Sequence, residues 1–200
     1  MMPAARESLL DAAASALARR PWSAVRMVDV AAAAGVSRQT LYNEFGSKEG
    51  LARALVRREA DGYLAGVERA LAAHTDPRDR LTATAEWMAS AARDSALVRA
   101  MLTGCWNERL PAPALAAVRS SSAVPAQRRA DGPLPSPGDF VRLVRDRAVT
   151  VLAAAATEDT ADLTRSCELA VRLALSCVAA PPGEDGVAEL VRGVLVRHLV

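Results

Sequence analysis

Apolar residues recur along this chain at helical spacing, and runs that alternate apolar with polar positions are absent. From about Ala4 to Arg19, Leu9, Leu10, Ala13, Ala16 and Leu17 fall on one stripe, which Pro21-Trp22-Ser23 breaks. A short helix is predicted over Met27–Ala34, with Met27, Val30, Ala31 and Ala34 inward and Gly35 ending it in a left-handed turn. Ser37 is placed to cap a third helix that reaches Phe45, where Gly46 stops it. Ser47 then caps a fourth helix of about Lys48–Ala73. Short helix, glycine-containing turn, helix is a helix-turn-helix pattern.

Downstream, Asp76-Pro77 opens a helix to about Arg93, and another spans Ala96 to about Trp106. A Pro/Ser-rich loop fills residues 111–138, and three further helices are predicted over Asp139–Thr157, Thr160–Ala179 and Glu184–Leu199. The stretch "LAVRLALSCVAA" is apolar nearly all round, which implies burial on more than one side. In the last helix Val187, Leu190, Val191, Val194, Leu195 and Leu199 form a broad stripe. This pair closes the core of one chain or packs against a second; the pattern leaves both open. The expected fold is all-α: a helix-turn-helix head over residues 1–50 and a larger helical body over 51–200.

Composition agrees. Hydrophobic residues make up 51% of the 200, yet aromatics only 4%, as in close-packed, alanine-rich helices. The net charge of +2 does not by itself mark a nucleic-acid binder. Through residue 60, nine Lys/Arg stand against six Asp/Glu, which is also the balance of an ordinary solvated surface. The odd set Cys105, Cys167 and Cys177 contains no C-x-x-C and reads as buried packing. His74 and His198 have no metal-ligand spacing, so neither metal nor cofactor is expected. The segment "MMPAARESLL" lacks a signal-peptide core, and the longest uncharged apolar stretch, near Ala148–Ala156, is about half a bilayer span. A soluble cytoplasmic protein is expected.

The third helix carries the chemistry. Leu41 and Phe45 share its inner face, so Gln39 and Asn43 project outward, Thr40 and Tyr42 flank them, and Arg38 sits in the first turn. These side chains are of the types that read base edges: Arg on guanine, Gln or Asn on adenine, Thr against a thymine methyl. The start of the following helix, with Lys48 and its amides, suits a phosphate.

From about Glu7 to Leu55 the chain resembles the DNA-binding domain of the TetR family of bacterial transcriptional regulators. The resemblance rests on "LLDAAASALA" and on "VDVAAAAGVSRQTLYNEFGSKEGL", with its A-G-V-S…T-L-Y…F-x-S-K-E pattern. It implies a homodimer joined by the last two helices, bound to a near-palindromic double-stranded operator and commonly acting as a repressor released by a small molecule. By position it implies base contacts from Arg38, Gln39, Thr40 and Asn43, and phosphate contacts from Tyr42 and Lys48; Ser37 and, by the reach of its side chain, Arg26 are further candidates for phosphate. Arg26 departs from the Ser or Thr usual at its position, and Glu44 replaces a frequent His or aromatic. A carboxylate there is expected on the inner flank, bonded to an arginine. The run "VRMVDVAAAAGVSRQTLYNEFGS" is also similar to actinobacterial members associated with alkane and fatty-acid metabolism.

In the body, Trp87, Met88, Met101, Cys105 and Trp106 are candidate walls of a lipophilic effector pocket, although for any one of them ordinary core is the plainer reading. Gly62 and Gly66 suggest close approach of a neighbouring helix. Three other classes remain: an enzyme, although no nucleophile elbow, phosphate loop or HExxH occurs; an architectural DNA binder; and a helical adaptor, which would leave Gln39 and Asn43 without a task.

Overall fold

In the computed structural model, which describes residues 3–112, 134–153, 160–183 and 186–195, the periodic segments are α-helices and no strand occurs among the described residues. They are α1 (Pro3–Arg19), α2 (Met27–Ala33), α3 (Arg38–Phe45), α4 (Lys48–Ala72), α5 (Pro77–Asp94), α6 (Ala96–Thr103), α7 (Pro137–Ala153), α8 (Thr160–Ala179) and α9 (Gly186–Leu195), with a 3-10 turn at Trp22–Ala24. No helix among the described residues is long and apolar enough to cross a membrane.

The helix ends follow local chemistry. Ser37 Oγ accepts from the Thr40 amide, and Asp76 accepts from the amides of Arg78 and Asp79 with Pro77 in the first turn. Gly46 closes α3 at φ 71 and Gly104 closes α6 at φ 74, where a side chain would be strained. Gly104 is why α6 stops at Thr103 rather than running on to Trp106.

The chain divides into two compact units. The first comprises Met1–Glu59 with Trp106–Leu134, and the second Ala60–Cys105 with Pro135–Val200. The first unit reaches past residue 50 because Leu51, Leu55 and Val56 of α4 are buried and Arg58 bonds Asp11 (2.6 Å) and the Leu10 carbonyl (3.2 Å) of α1. Its core joins Leu9, Leu10 and Ala13 of α1 to Val30 of α2 and Leu41 of α3.

In the second unit α8 packs against α7 and α5, and α9 packs against α5 and α8. Phe140 of α7 meets the Tyr63 ring of α4 edge-on at 5.8 Å. The buried residues of α8, among them Cys167, Ala170, Val171, Ala174 and Cys177, fall on one stripe at helical spacing, and Leu169 is 40% exposed, a correction to the burial on more than one side expected for this helix. The α9 stripe is split. Val187, Val191 and Leu195 are buried, but Leu190 is 38% exposed; Leu199 lies outside the described residues. Cys167 and Cys177 are buried as expected. Cys105 is exposed, a correction to the packing role read for it, because the left-handed turn at Gly104 takes the chain out of the helix just before it. The Gly62/Gly66 pair is also only half interior: a Cβ on Gly66 would strike the Trp87 indole, whereas one on Gly62 would meet nothing.

Candidate nucleic-acid interface

Helix α3 has eight residues and two faces. Leu41 is fully buried and Phe45 nearly so, together contributing about 3–5 kcal/mol of apolar burial to hold the helix. Arg38, Gln39, Tyr42 and Asn43 are exposed and Thr40 is half-buried. Gln39 Nε2 donates to Asn43 Oδ1 at 2.8 Å. That bond leaves Gln39 its Oε1 acceptor and a second N–H, the pair needed for a bidentate contact with adenine. Asn43 is therefore a buttress as well as a candidate reader. The hydroxyls of Ser37 and Thr40 are hydrogen-bonded to each other at 2.9 Å, which fixes the first turn and turns the Thr40 hydroxyl toward its own helix.

Glu44 lies on the inner flank with its carboxylate 3.8 Å from Arg6 Nη1. The Arg6 guanidinium also covers the Phe45 ring at 4.7 Å from its centroid. One arginine of α1 thus offsets the out-of-place carboxylate and braces the end of the helix.

The start of α4 is more occupied than its sequence suggests. The Gly50 amide donates to Ser47 Oγ at 3.1 Å. Glu49 is held below the usual carboxylate range, first by its own backbone amide and then by the Ser47 hydroxyl. Lys48 Nζ donates to the Ser23 carbonyl at 3.2 Å and stands 5.5 Å from the Trp22 ring centre. Lys48 keeps two of its three N–H groups for a further acceptor, while two of the amides expected to be open are taken.

Arg26 precedes α2 and makes no side-chain cap there. Its Nε and Nη2 instead grip the two carboxylate oxygens of Asp29 at 3.1 and 3.0 Å. Arg20 Nη1 reaches Asp29 Oδ2 at 3.3 Å. The Arg26 fork, with a smaller contribution from Arg20, holds Asp29 below the ordinary range for aspartate although burial opposes it. Arg6, Arg20 and Asp29 were not among the sequence-predicted site residues. The Arg26-x-x-Asp29 spacing was visible in the chain, but Arg6 and Arg20 reach their partners only in three dimensions.

The five candidate pocket residues differ in burial and in the unit they belong to. Met88 and Met101 are buried in the second unit. Trp87 is pinned there by a hydrogen bond from its indole to the Tyr63 carbonyl (3.1 Å), with the Arg69 guanidinium over its ring. Cys105 is exposed. Trp106 groups with the first unit, as does Arg109, whose carbonyl accepts from the Trp22 amide at 2.9 Å. A cleft of about 380 Å³ opens elsewhere, between α4 and α7, with Leu71, Leu143 and Val151 as its apolar lining. Arg147 stands in that lining and donates to Glu68 at 2.9 Å. The Tyr63 hydroxyl of the same unit is buried without a hydrogen-bond partner, and burial pushes its phenol well above the usual range.

Comparison with known proteins agrees with this geometry. Residues 9–55 match the model for bacterial regulatory proteins of the tetR family. The chain is 36% identical over 201 residues to the HTH-type transcriptional regulator AlkX of Mycobacterium tuberculosis (strain ATCC 25618 / H37Rv), covering 96% of this chain and 86% of that protein. It is 41% identical over 81 residues to the HTH-type transcriptional activator FasR of Mycolicibacterium smegmatis, covering 40% of this chain and 37% of the relative. Among solved structures it is similar in fold to the TetR family repressor AlkX from Dietzia sp. strain DQ12-45-1b, with TM-score 0.57 and 21% identity over 97% of this chain and 95% of that one. The two-faced helix α3 lies within the matched residues, and the AlkX similarity extends along almost the whole chain. On these grounds the protein belongs to the TetR family of bacterial transcriptional regulators.

Proposed function

We propose that the protein is a homodimeric cytoplasmic repressor that binds a near-palindromic operator and is released by a small lipophilic molecule, with no catalytic role. The observation that carries the reading is α3, which buries Leu41 and Phe45 and turns Arg38, Gln39 and Asn43 outward. A helix so arranged fits the major groove, with its first residues at base edges and the neighbouring arginines and Lys48 at phosphates. Exposed Leu169 on α8 and Leu190 on α9 support pairing of two chains through those helices. The apolar lining of the α4–α7 cleft supports a lipophilic effector. The relative named an activator is similar over 40% of this chain, so activation on ligand binding is the second reading.

Selection of bound sequences from a random DNA pool, at moderate salt and without added ligand, tests this. Enrichment of an inverted repeat is expected. If folded protein enriches no sequence, the ligand-released repressor is wrong.

Two substitutions separate reading from gripping. Gln39→Ala is expected to lose about 1–3 kcal/mol of discrimination at one operator position. Lys48→Ala should weaken all sequences alike and flatten the salt slope by roughly one unit. Equal losses on operator and random DNA for both variants would contradict that division.

Arg6→Ala uncovers the Glu44 carboxylate beside the DNA and is expected to weaken operator binding by about 1 kcal/mol. Adding Glu44→Gln to Arg6→Ala should restore most of the loss. No recovery in the double variant would mean that Arg6 does not act by offsetting Glu44.

A further inference from the structure

We infer that Asp29 is a positioning residue that holds Arg20 and Arg26 together as a two-guanidinium clamp for one backbone phosphate of the bound duplex. The inference rests on the DNA-binding reading above and adds two residues to it, Arg20 as a phosphate ligand and Asp29 as its organiser.

The geometry supplies the grounds. Asp29 has both oxygens engaged by Arg26, through Nε at 3.1 Å and Nη2 at 3.0 Å, and its Oδ2 also faces Arg20 Nη1 at 3.3 Å. A carboxylate gripped by a fork in this way fixes the plane of the guanidinium. Each guanidinium has five N–H groups. Toward Asp29, Arg26 uses two and Arg20 one, which leaves both with donors for a second anion. Two arginines against one aspartate leave the cluster with a single net positive charge, matching the single negative charge of a phosphodiester. The arginine side chains remain accessible, at 73% for Arg26 and 39% for Arg20, whereas the aspartate between them is 25% exposed. The acid is thus the least exposed of the three.

A simpler role for Asp29 is to tie the end of α1 to the first turn of α2, where an acidic side chain also suits the helix dipole. The two roles predict opposite responses to losing the charge. Were Asp29 only a structural tie, its carboxylate would be one more repulsive charge near DNA, and removing it would tighten binding and steepen the salt dependence. As an organiser, its loss frees both arginines, so binding weakens and the slope does not rise.

The test uses the full chain and the duplex recovered by its own selection, with dissociation constants measured across a salt series. Arg20→Gln is expected to weaken binding about tenfold, on selected and random duplexes alike, and to lower the salt slope by about one unit. Asp29→Asn is expected to weaken binding to a similar extent without raising the slope. The double variant should be little worse than Arg20→Gln alone, since both remove the same contact. The inference is overturned if Asp29→Asn binds as tightly as the wild type or more so. It is equally overturned if Arg20→Gln keeps both affinity and slope. Circular dichroism and melting verify the fold of each variant; should Asp29→Asn melt early, Arg20→Gln, just beyond the end of α1, decides alone. If the wild-type chain binds no duplex, the DNA reading itself fails; normal wild-type binding with unaffected variants sinks only the clamp.

Discussion

Gly50→Ala is expected to destabilise the helix-turn-helix unit by about 3 kcal/mol and to abolish operator binding. A Cβ on Gly50 would stand 1.9 Å from the Phe45 carbonyl oxygen and 3.0 Å from its carbon. Ordinary carbon–oxygen contacts lie near 3.3 Å or beyond, so the end of α3 and the start of α4 must separate by more than an ångström. Both partners are backbone, and no rotamer change relieves the overlap. The shift also strains two bonds that set this junction, from the Ser47 amide to the Phe45 carbonyl (2.8 Å) and from the Gly50 amide to Ser47 Oγ (3.1 Å). Overpacking costs about 1–3 kcal/mol and a lost cap about 1. Against this, alanine gains at most about 1 kcal/mol of helix propensity over glycine. The clash wins. Denaturant unfolding and titration of the selected duplex check the result, and a variant within about 0.5 kcal/mol of wild type that still binds DNA would show the junction to be more compliant.

Gly66→Ala is expected to cost the second unit about 2–3 kcal/mol by displacing Trp87. The new methyl would lie 2.1 Å from the indole Cε2 and Cζ2 and 2.5 Å from Nε1. The indole is not free to swing away unopposed. Its Nε1 donates to the Tyr63 carbonyl one turn earlier on α4, and the Arg69 guanidinium sits 5.8 Å from its centroid. Helix propensity again works in the other direction, by up to about 1 kcal/mol. A double-variant cycle separates the two terms: in a Trp87→Leu background the same glycine substitution should become neutral or mildly stabilising. Thermal unfolding of the four proteins reads it. An undiminished loss in the Trp87→Leu background would mean that the indole is not what Gly66 accommodates.

These two glycines mark a boundary in what one sequence discloses. Gly35, Gly46 and Ser37 act within a few residues of themselves, and their roles in ending or capping helices could be read directly. Gly50 and Gly66 sit inside a predicted helix and look like weak points in it. Their role depends on a carbonyl from the preceding helix and an indole from the next. The interface shows the same split. The outward set on α3 follows from the 100° step of a helix once Leu41 and Phe45 are known to be inside. The counter-charge for Glu44 comes from Arg6, 38 residues away, and Arg20 joins Arg26 only because the chain folds back between them.

The sequence by itself determined the all-helical class, the helix-turn-helix, most helix limits and the two faces of α3. Each depends on interactions within about four residues, where spacing is geometry. Only the tertiary structure decided that Leu190 faces outward while its neighbour Val191 is buried, and that Trp106 belongs with the first unit rather than with Met88 and Met101. A broad apolar stripe allows several rotations of its helix, and one is chosen by what α5 and α8 present to α9. Exposure and pairing of that kind are set by segments far apart in the chain, whose meeting no local pattern encodes.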